Sequence, residues 1–441
     1  MSNQFQLLKE QRFRPFFFTQ FLGAFNDNAF KTALITLVAF HAASLSSIDG
    51  ATLATLLPGV FILPFFLFSA TAGQIADKYE KSRIIRLVKV FEIAIMLFAS
   101  AGFFMHNLWL LATVLFMMGM HSTLFGPVKY SYLPQHLKVH ELIGGNGMVE
   151  MGSFVAILLG QVLGVWVGAQ QNHAMLTSIA VIGLALLGYW TSGGVPNSPA
   201  GALNLVINWN PITETYRNLK QIWGQQSLWL AIIAISWFWF YGATLLAQFP
   251  NFAKNVLHGD ESVFILLLSV FSVGIGIGSL MCEKLSKHKV QLGLVLFGAI
   301  GLTLFGIDLY ASGASIHAAA SASHLSQNYA AFLNHLYAWR LLADIILIGL
   351  FGGFYIVPLY AFLQTNAEKS HQSRVIAANN IMNALFMVAS AAFSLGIFSL
   401  GFSIPQLFLI TALLSALVAV YLCIRQPEFF TAFITWVKTH I

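Results

Sequence analysis

The sequence predicts an all-α polytopic membrane protein with twelve spanning helices in two halves of six. Three observations predict it. Of 441 residues, 58% are hydrophobic and only 9% are charged, with a mean hydropathy of +0.76, whereas a soluble domain carries about 25% charged residues. The apolar residues gather into twelve stretches, each long enough to cross a bilayer as a helix. The basic residues collect in alternate connections between those stretches, as expected of loops on one side of a membrane.

In chain order the stretches are 13–41, 51–75, 83–104, 107–130, 142–168, 173–191, 227–253, 261–282, 289–311, 335–360, 373–397 and 402–424. Connections after the first, third, fifth, seventh and eleventh are short. Two are longer: 192–226, with Pro196, Pro199, Pro211 and an amphipathic pattern, and 312–334, rich in Ala, Ser, His and Asn. The first divides the chain into a bundle at 1–191, a cytoplasmic linker at 192–226, a second bundle at 227–424 and a tail at 425–441. With both termini in the cytoplasm, every basic residue except Lys31, Lys254 and Arg340 falls in an inside region. No separate apolar core with a cleavage site precedes Gln20, so no signal peptide is expected. Cys282 and Cys423 are placed at membrane-facing helix ends and suggest neither a disulfide framework nor a metal site. The net charge of +6 is dispersed over membrane loops, which argues against nucleic-acid binding.

Asp27 lies inside the first apolar stretch, where an ionised carboxylate costs several kcal/mol if lipid surrounds it. It is therefore expected to face protein or water. Asp27 and Lys31 are four residues apart on one helix face, which fits either a structural ion pair or a polar binding element in a transport cavity. Gln20, Asn26 and Asn28 accompany them. Asn146 and Glu150, also four apart, occupy the fifth stretch beside Gly145, Gly147 and Gly152, which permit close packing. Asn379 and Asn383 are their uncharged counterparts in the eleventh. Arg340 and Asp344 repeat the four-residue spacing in the tenth, as a self-satisfied pair or as an outer gate. Gln248 is on the seventh, while Glu92, Asp308 and Gln161 stand apart; Glu92 is expected to pair with Lys89 or Arg86. Lys129 follows Gly126-Pro127, where a helix break would free backbone groups, and its ammonium either meets a phosphate or snorkels to headgroups. Aromatic residues are dense at Phe16-Phe17-Phe18, Phe21, Phe25, Phe30, Trp237 to Tyr241 and Phe351 to Tyr360. Most are explained as lipid-facing filler, yet charged groups among apolar walls suit an amphiphile better than a sugar.

The two halves echo one another. Gly73 to Arg83 ends the second stretch as Gly278 to Lys287 ends the eighth; Gly144 to Glu150 begins the fifth as Ala377 to Asn383 begins the eleventh; Gly126-Pro127-Val128-Lys129-Tyr130 parallels Ile356-Val357-Pro358-Leu359-Tyr360. Echoes in the same order indicate parallel repeats, a signature of rocker-type transporters. The pattern resembles the major facilitator superfamily. Gly73-x-x-x-Asp77-Lys78-x-x-Lys81-x-Arg83 is similar to that superfamily's loop motif between its second and third helices, with Glu80 where a glycine is usual. The resemblance implies a gate of Asp77, Lys78 and Arg83 that holds the cytoplasmic side closed. It also implies a cavity lined by helices one, four, five, seven, ten and eleven. On the residues alone, Gly73 permits close helix approach and Asp77 has Arg83, Arg86 or a neighbouring helix end as partners; a solvated loop of topology-setting charges is the alternative.

A finer resemblance, to the lysophospholipid transporter family, rests on Gln20-Phe21-Leu22-Gly23-Ala24-Phe25-Asn26-Asp27-Asn28, Gly73-Gln74-Ile75-Ala76-Asp77, Phe125-Gly126-Pro127-Val128-Lys129-Tyr130 and Asn146-Gly147-x-x-Glu150. It implies a flippase of the bacterial inner membrane that moves lysophosphatidylethanolamine-like lipids to the cytoplasmic leaflet, where an acyltransferase restores the missing chain. The expected substrate contacts are Asp27, Asn28, Lys31, Lys129, Asn146, Glu150, Asn379 and Asn383, with Arg340 and Asp344 at the outer gate. Some members carry a basic residue on the seventh helix; here none lies between Lys220 and Lys254, so phosphate recognition falls on Lys31, Lys129 or Arg340. Trp237 to Tyr241 and Gln248-Phe249-Pro250 resemble the branch fused to an acyltransferase. The chain reaches Ile441 with no such domain, so that enzyme is expected as a separate partner. A monomer without cofactor or metal is expected, with no enzymatic activity of its own and no strict need for sodium or protons. The runner-up is an ion-coupled transporter of another amphiphile or drug.

Overall fold

A computed structural model describes residues 4–45, 50–320 and 327–440. Among them the long helices are α1 (Arg14–Leu45), α2 (Gly50–Lys78), α3 (Lys81–Phe104), α4 (Leu108–His136), α5 (Leu142–Gly168) and α6 (His173–Ser192), then, after a short α7 (Pro211–Trp223), α8 (Gln226–Asn251), α9 (Glu261–Leu285) and α10 (Leu292–Ala320). The brief α11 (Tyr329–Leu333) leads into α12 (Leu336–Asn366), α13 (Gln372–Ser399), α14 (Ile404–Arg425) and a final α15 (Glu428–His440). Eleven helices among the described residues are long and apolar enough to cross a membrane, and α1 makes the twelfth span. A segment crossing lipid must satisfy its backbone groups internally, which a helix does along its own length, and this is why long apolar stretches read so directly as helices.

Two boundaries differ from expectation. Pro127 does not break its helix: α4 runs from Leu108 through Pro127 and Pro134 to His136. Beside the ring the helix packs on α13, where a Cβ at Gly126 would meet the Asn380 amide nitrogen at 2.5 Å, and Ser131 donates to the Pro127 carbonyl at 2.6 Å. The ring therefore removes one ladder bond without freeing a cavity-lining segment. The connection expected at 312–334 is shorter, because α10 continues to Ala320; residues 321–326 of it lie outside the described residues.

The chain forms two compact units. The first comprises 1–145, 155–229 and 363–384; the second comprises 146–154, 230–362 and 385–441. In the first, α2 packs along α4, α3 along α4 and α6, and α1 against α6. Its core includes Phe30 and Leu34 of α1, Met96 and Phe103 of α3, Val114 and Met118 of α4. A close helix approach is also made by Gly160, Gly164 and Gly168 of α5. A Cβ at these positions would lie 2.6–2.9 Å from α1 atoms of Phe25, Ala29, Thr32 and Thr36 or nearer neighbours, so this stripe, rather than Gly145, carries the contact with α1. Gly145 faces Leu137 instead.

In the second unit α10 packs against α14 and α15. Gly274 and Gly278 of α9 lie against the Ile346 and Leu350 carbonyls of α12, and Gly349 and Gly353 return the contact. Cys282 is buried at this seam, its Sγ 3.4 Å from the Gly278 oxygen and 3.5 Å from that of Gly353. The expected membrane-facing position for Cys282 is thus corrected: the small residues around it draw two backbones over the thiol.

Replacing Gly164 with Leu should force α5 from α1 and cost about 1–3 kcal/mol, seen as a lower apparent Tm in detergent. Gly183→Ala, where nothing lies within 4 Å of the added Cβ, should be neutral or slightly stabilising.

Candidate functional site

Asp27 lies in the middle of α1, and its Oδ2 accepts a hydrogen bond from Ser122 of α4 at 2.5 Å. Its Oδ1 is buried without a protein donor. The spacing offered Lys31 as an ion-pair partner, but no pair forms within 4.0 Å. The Lys31 ammonium instead lies 4.3 Å over the Phe61 ring of α2, a cation–π contact. The reason is the Ser122 hydroxyl, which holds the carboxylate toward α4, while the longer lysine turns to α2. Asn28 donates its amide to the Ala24 carbonyl at 2.8 Å. Phe21 and Phe25 stack edge to face along the same helix.

On the neighbouring faces of the same helix turns, through Asn26 and His121, lies a more deeply buried cluster. Lys89 donates to Glu92 at 2.6 Å, and Asn26 donates to the other Glu92 oxygen at 2.7 Å. His121 Nε2 stands 3.2 Å from the same carboxylate, outside hydrogen-bond alignment, and its Nδ1 has no protein partner. All four side chains are 2% exposed or less. Pairing of Glu92 with Lys89 was legible from the i,i+3 spacing; recruitment of Asn26 and His121 from α1 and α4 was not. The adjacent His121-Ser122 dipeptide within an apolar helix was the available signal, since its two side chains serve two different carboxylates.

Of the other expected contacts, Lys129 lies 5.1 Å from the Tyr130 ring centre. Asn379 is fully buried with neither amide atom hydrogen-bonded, and Asn383 is 6% exposed. The neighbouring Asn380 packs on α4, where a Cβ at Gly126 would meet its Nδ2 at 2.5 Å. Asn146 and Glu150 are buried in the second unit.

At the basic-rich helix ends, Asp77 receives the Ser373 amide at 2.9 Å and the Arg374 Nε at 3.0 Å. Its partner is thus the start of α13, not Arg83 or Arg86. Arg86 bonds to Ser82, and Lys78 lies 5.8 Å from the Tyr79 ring centre. Gly73 makes this contact possible, because a Cβ there would meet Ala377 at 2.7 Å and the Arg374 backbone at 3.1 Å. Glu80 caps α3 by accepting from the amides of Ser82 and Arg83, and also accepts from Ser198 at 2.6 Å. Burial works to raise the Glu80 carboxyl, but the Ser198, Ser82 and Arg83 hydrogen bonds outweigh it and hold the group below its ordinary value. A glycine at position 80 would supply none of these bonds. In the second unit Arg340 pairs with Asp308 of α10, its Nε 3.1 Å from Oδ2, and Asp344 accepts from Ser312 at 2.9 Å. The expected Arg340–Asp344 pair is therefore replaced by two links from α12 to α10.

The sequence matches the Major Facilitator Superfamily over residues 16–325. It is 25% identical over 389 residues to a lysophospholipid transporter, LplT, of Enterobacter sp. (strain 638), covering 86% of this chain and 87% of that one. It is 26% identical over 396 residues to the LplT of Klebsiella pneumoniae (strain 342), covering 87% of each. Among solved structures, the transporter FucP in the outward conformation superposes with a TM-score of 0.67 at 13% identity, over 95% of this chain and all of that one. A bacterial homologue of the iron transporter ferroportin, outward-facing, gives 0.60 at 15%, over 92% and 99%. These likenesses carry the fold.

Removing one partner of the buried ion pair should be costly: Glu92→Gln or Lys89→Met alone should destabilise by about 3–5 kcal/mol. The double variant should recover part of the loss, measured by thermal unfolding in detergent. Glu80→Gln should cost about 1 kcal/mol near neutral pH as a weakened cap. Because the folded carboxyl is held below its ordinary 4.5, its contribution is complete above that value and disappears as pH falls through the lower folded one. The stability gap between wild type and Glu80→Gln should accordingly shrink on acidification.

Proposed function

Since the chain belongs to the Major Facilitator Superfamily, we propose that it is a lysophospholipid transporter. It moves lysophosphatidylethanolamine-like lipids across the bacterial inner membrane to the cytoplasmic leaflet by alternating access, and a separate acyltransferase then restores the second chain. Both termini lie in the cytoplasm, on the basic-rich side.

The observation that carries this reading is the separation of Asp27 from Lys31. The carboxylate keeps one oxygen without a protein donor, and the ammonium rests on an aromatic ring rather than on the carboxylate. One helix turn thus presents, side by side, a carboxyl group with an open oxygen and an ammonium turned away from it. A zwitterionic headgroup satisfies both at once, its ammonium at Asp27 and its phosphate at Lys31, while Phe21, Phe25 and Phe61 offer non-directional contact to a single acyl chain. Resemblance to lysophospholipid transporters over most of both chains supports the same substrate class. Lys129, Asn146, Glu150, Asn379 and Asn383 complete the proposed set of contacts, with Asn28 locked to its own helix as support. Asp77 and Arg374 form the inner closure, and Lys78 and Arg83 belong to the same proposed gate. Arg340 and Asp344, each tied to α10, form the outer one.

A second reading, an ion-coupled transporter of another amphiphile or drug, is favoured by His121, a buried imidazole set beside Glu92. The two separate in one assay. Reconstituted vesicles should take up lysophosphatidylethanolamine saturably and equally with or without a proton gradient. Uptake no faster than in protein-free vesicles sinks the first reading, and uptake that collapses with the gradient favours the second. Asp27→Asn should lower uptake about 10–100-fold, the loss of one charge-assisted contact of about 1.5–3 kcal/mol, in protein of unchanged Tm.

A further inference from the structure

The segment from Val195 to Trp223 bonds to both sides of the inner closure. Ala202 donates its amide to the Asp77 carbonyl at 2.8 Å, and Asn218 of α7 donates to the Arg374 carbonyl at 3.0 Å. Between them, Gln74 of α2 exchanges hydrogen bonds with the backbone of Asn208, at 2.8 and 3.2 Å. Ser198 is bonded to Glu80 and to the Lys81 amide. The segment is a strap across the ends of α2, α3 and α13.

The helix inside this strap has three faces. Asn210 caps it by accepting from the amides of Ile212 and Thr213, with Pro211 at its first position. Glu214, Asn218 and Ile222, each four apart, are buried against the protein. Ile212, Tyr216, Leu219 and Trp223, spaced four, three and four, form a second face; Ile212, Tyr216 and Trp223 are 67–77% exposed. Arg217 and Lys220 lie on the third, exposed side. Because α7 packs on α2, whose spanning part ends at Lys78, the apolar face stands at the level where the bilayer's hydrocarbon gives way to headgroups. Aromatic residues prefer that level, and basic residues there attract anionic lipid. An apolar groove of about 230 Å³, lined by Phe68, Ile75, Leu124 and Trp209 among others, opens beside the start of the helix.

We propose that α7 is a membrane-surface helix that binds anionic lipid of the cytoplasmic leaflet and, through Asn218 and Gln74, sets how firmly the Asp77–Arg374 closure is held. Its apolar face enters the boundary between headgroups and acyl chains. Arg217 and Lys220 meet lipid phosphates. The buried face passes the position of the helix to the closure. Loss of anionic lipid therefore loosens the closure without touching the substrate contacts. Lipid composition, rather than substrate alone, then regulates how often the inner side opens.

The test uses the full chain with Cys282→Ser and Cys423→Ala, reconstituted in phosphatidylethanolamine vesicles with or without phosphatidylglycerol. Spin labels on cysteines at positions 212, 216 and 223 should be accessible to oxygen and shielded from aqueous nickel, while labels at 217 and 221 should meet nickel freely. Nickel access at all five positions would overturn the membrane seat. A cysteine replacing the buried Ser373 reports the closure by its reaction with an impermeant maleimide from the cytoplasmic side. Omitting phosphatidylglycerol, or introducing Arg217→Glu with Lys220→Glu, should speed that reaction several-fold, up to the limit of about thirtyfold set by two lost headgroup contacts. Arg217→Gln with Lys220→Gln serves as the milder variant should the charge reversal impair folding. A rate indifferent to lipid in the otherwise unaltered chain would overturn the coupling, even with the helix seated in the membrane.

Discussion

A bilayer offers no water to a polar group, and the rest of this structure follows from that constraint. Glu92 shows the consequence most plainly. An isolated carboxylate at its depth is untenable, so it takes the Lys89 ammonium and the Asn26 amide, with His121 alongside. The four groups come from α1, α3 and α4 and fasten three helices at one point. Dispersion alone, as available from lipid tails as from leucine, would not select that arrangement.

Polar contacts of this kind require backbones to come close, and the glycine positions show how that is arranged. Gly160, Gly164 and Gly168 bring α5 onto α1 near Asp27, Gly73 brings α2 onto the first turn of α13, and the paired glycines of α9 and α12 do the same in the second unit. At Gly73 the consequence is a specific polar contact. With no Cβ in the way, the Ser373 amide and the Arg374 guanidinium both reach Asp77. The segment from Val195 to Trp223 then adds backbone contacts on either side, so one small residue underlies a junction that several segments share.

Much of this was legible beforehand. The twelve spans were readable because a spanning helix must be both long and apolar. Glu92 and Lys89 were readable as a pair because a helix brings residues three apart to one face. The same spacing argument failed at Asp27 and Lys31 and again at Arg340 and Asp344. There, residues on other helices, Ser122, Phe61, Asp308 and Ser312, offered better partners. Sequence spacing names who is near along one helix and says nothing of who stands opposite. Pro127 failed for a related reason: its effect depends on what packs beside it, and there Asn380 of α13 lies against the helix.

By itself the sequence determined that the chain crosses a membrane about twelve times, that its polar residues are few and confined, and that its halves are repeated, because each is a property of composition and period along one strand. Tertiary structure alone decided which carboxylate is neutralised and which is left with an open oxygen, which helix end receives Asp77, and which face of α7 turns outward. Those outcomes depend on distances of a few ångströms between segments far apart in the chain. A hydrogen bond or ion pair is gained or lost within that range.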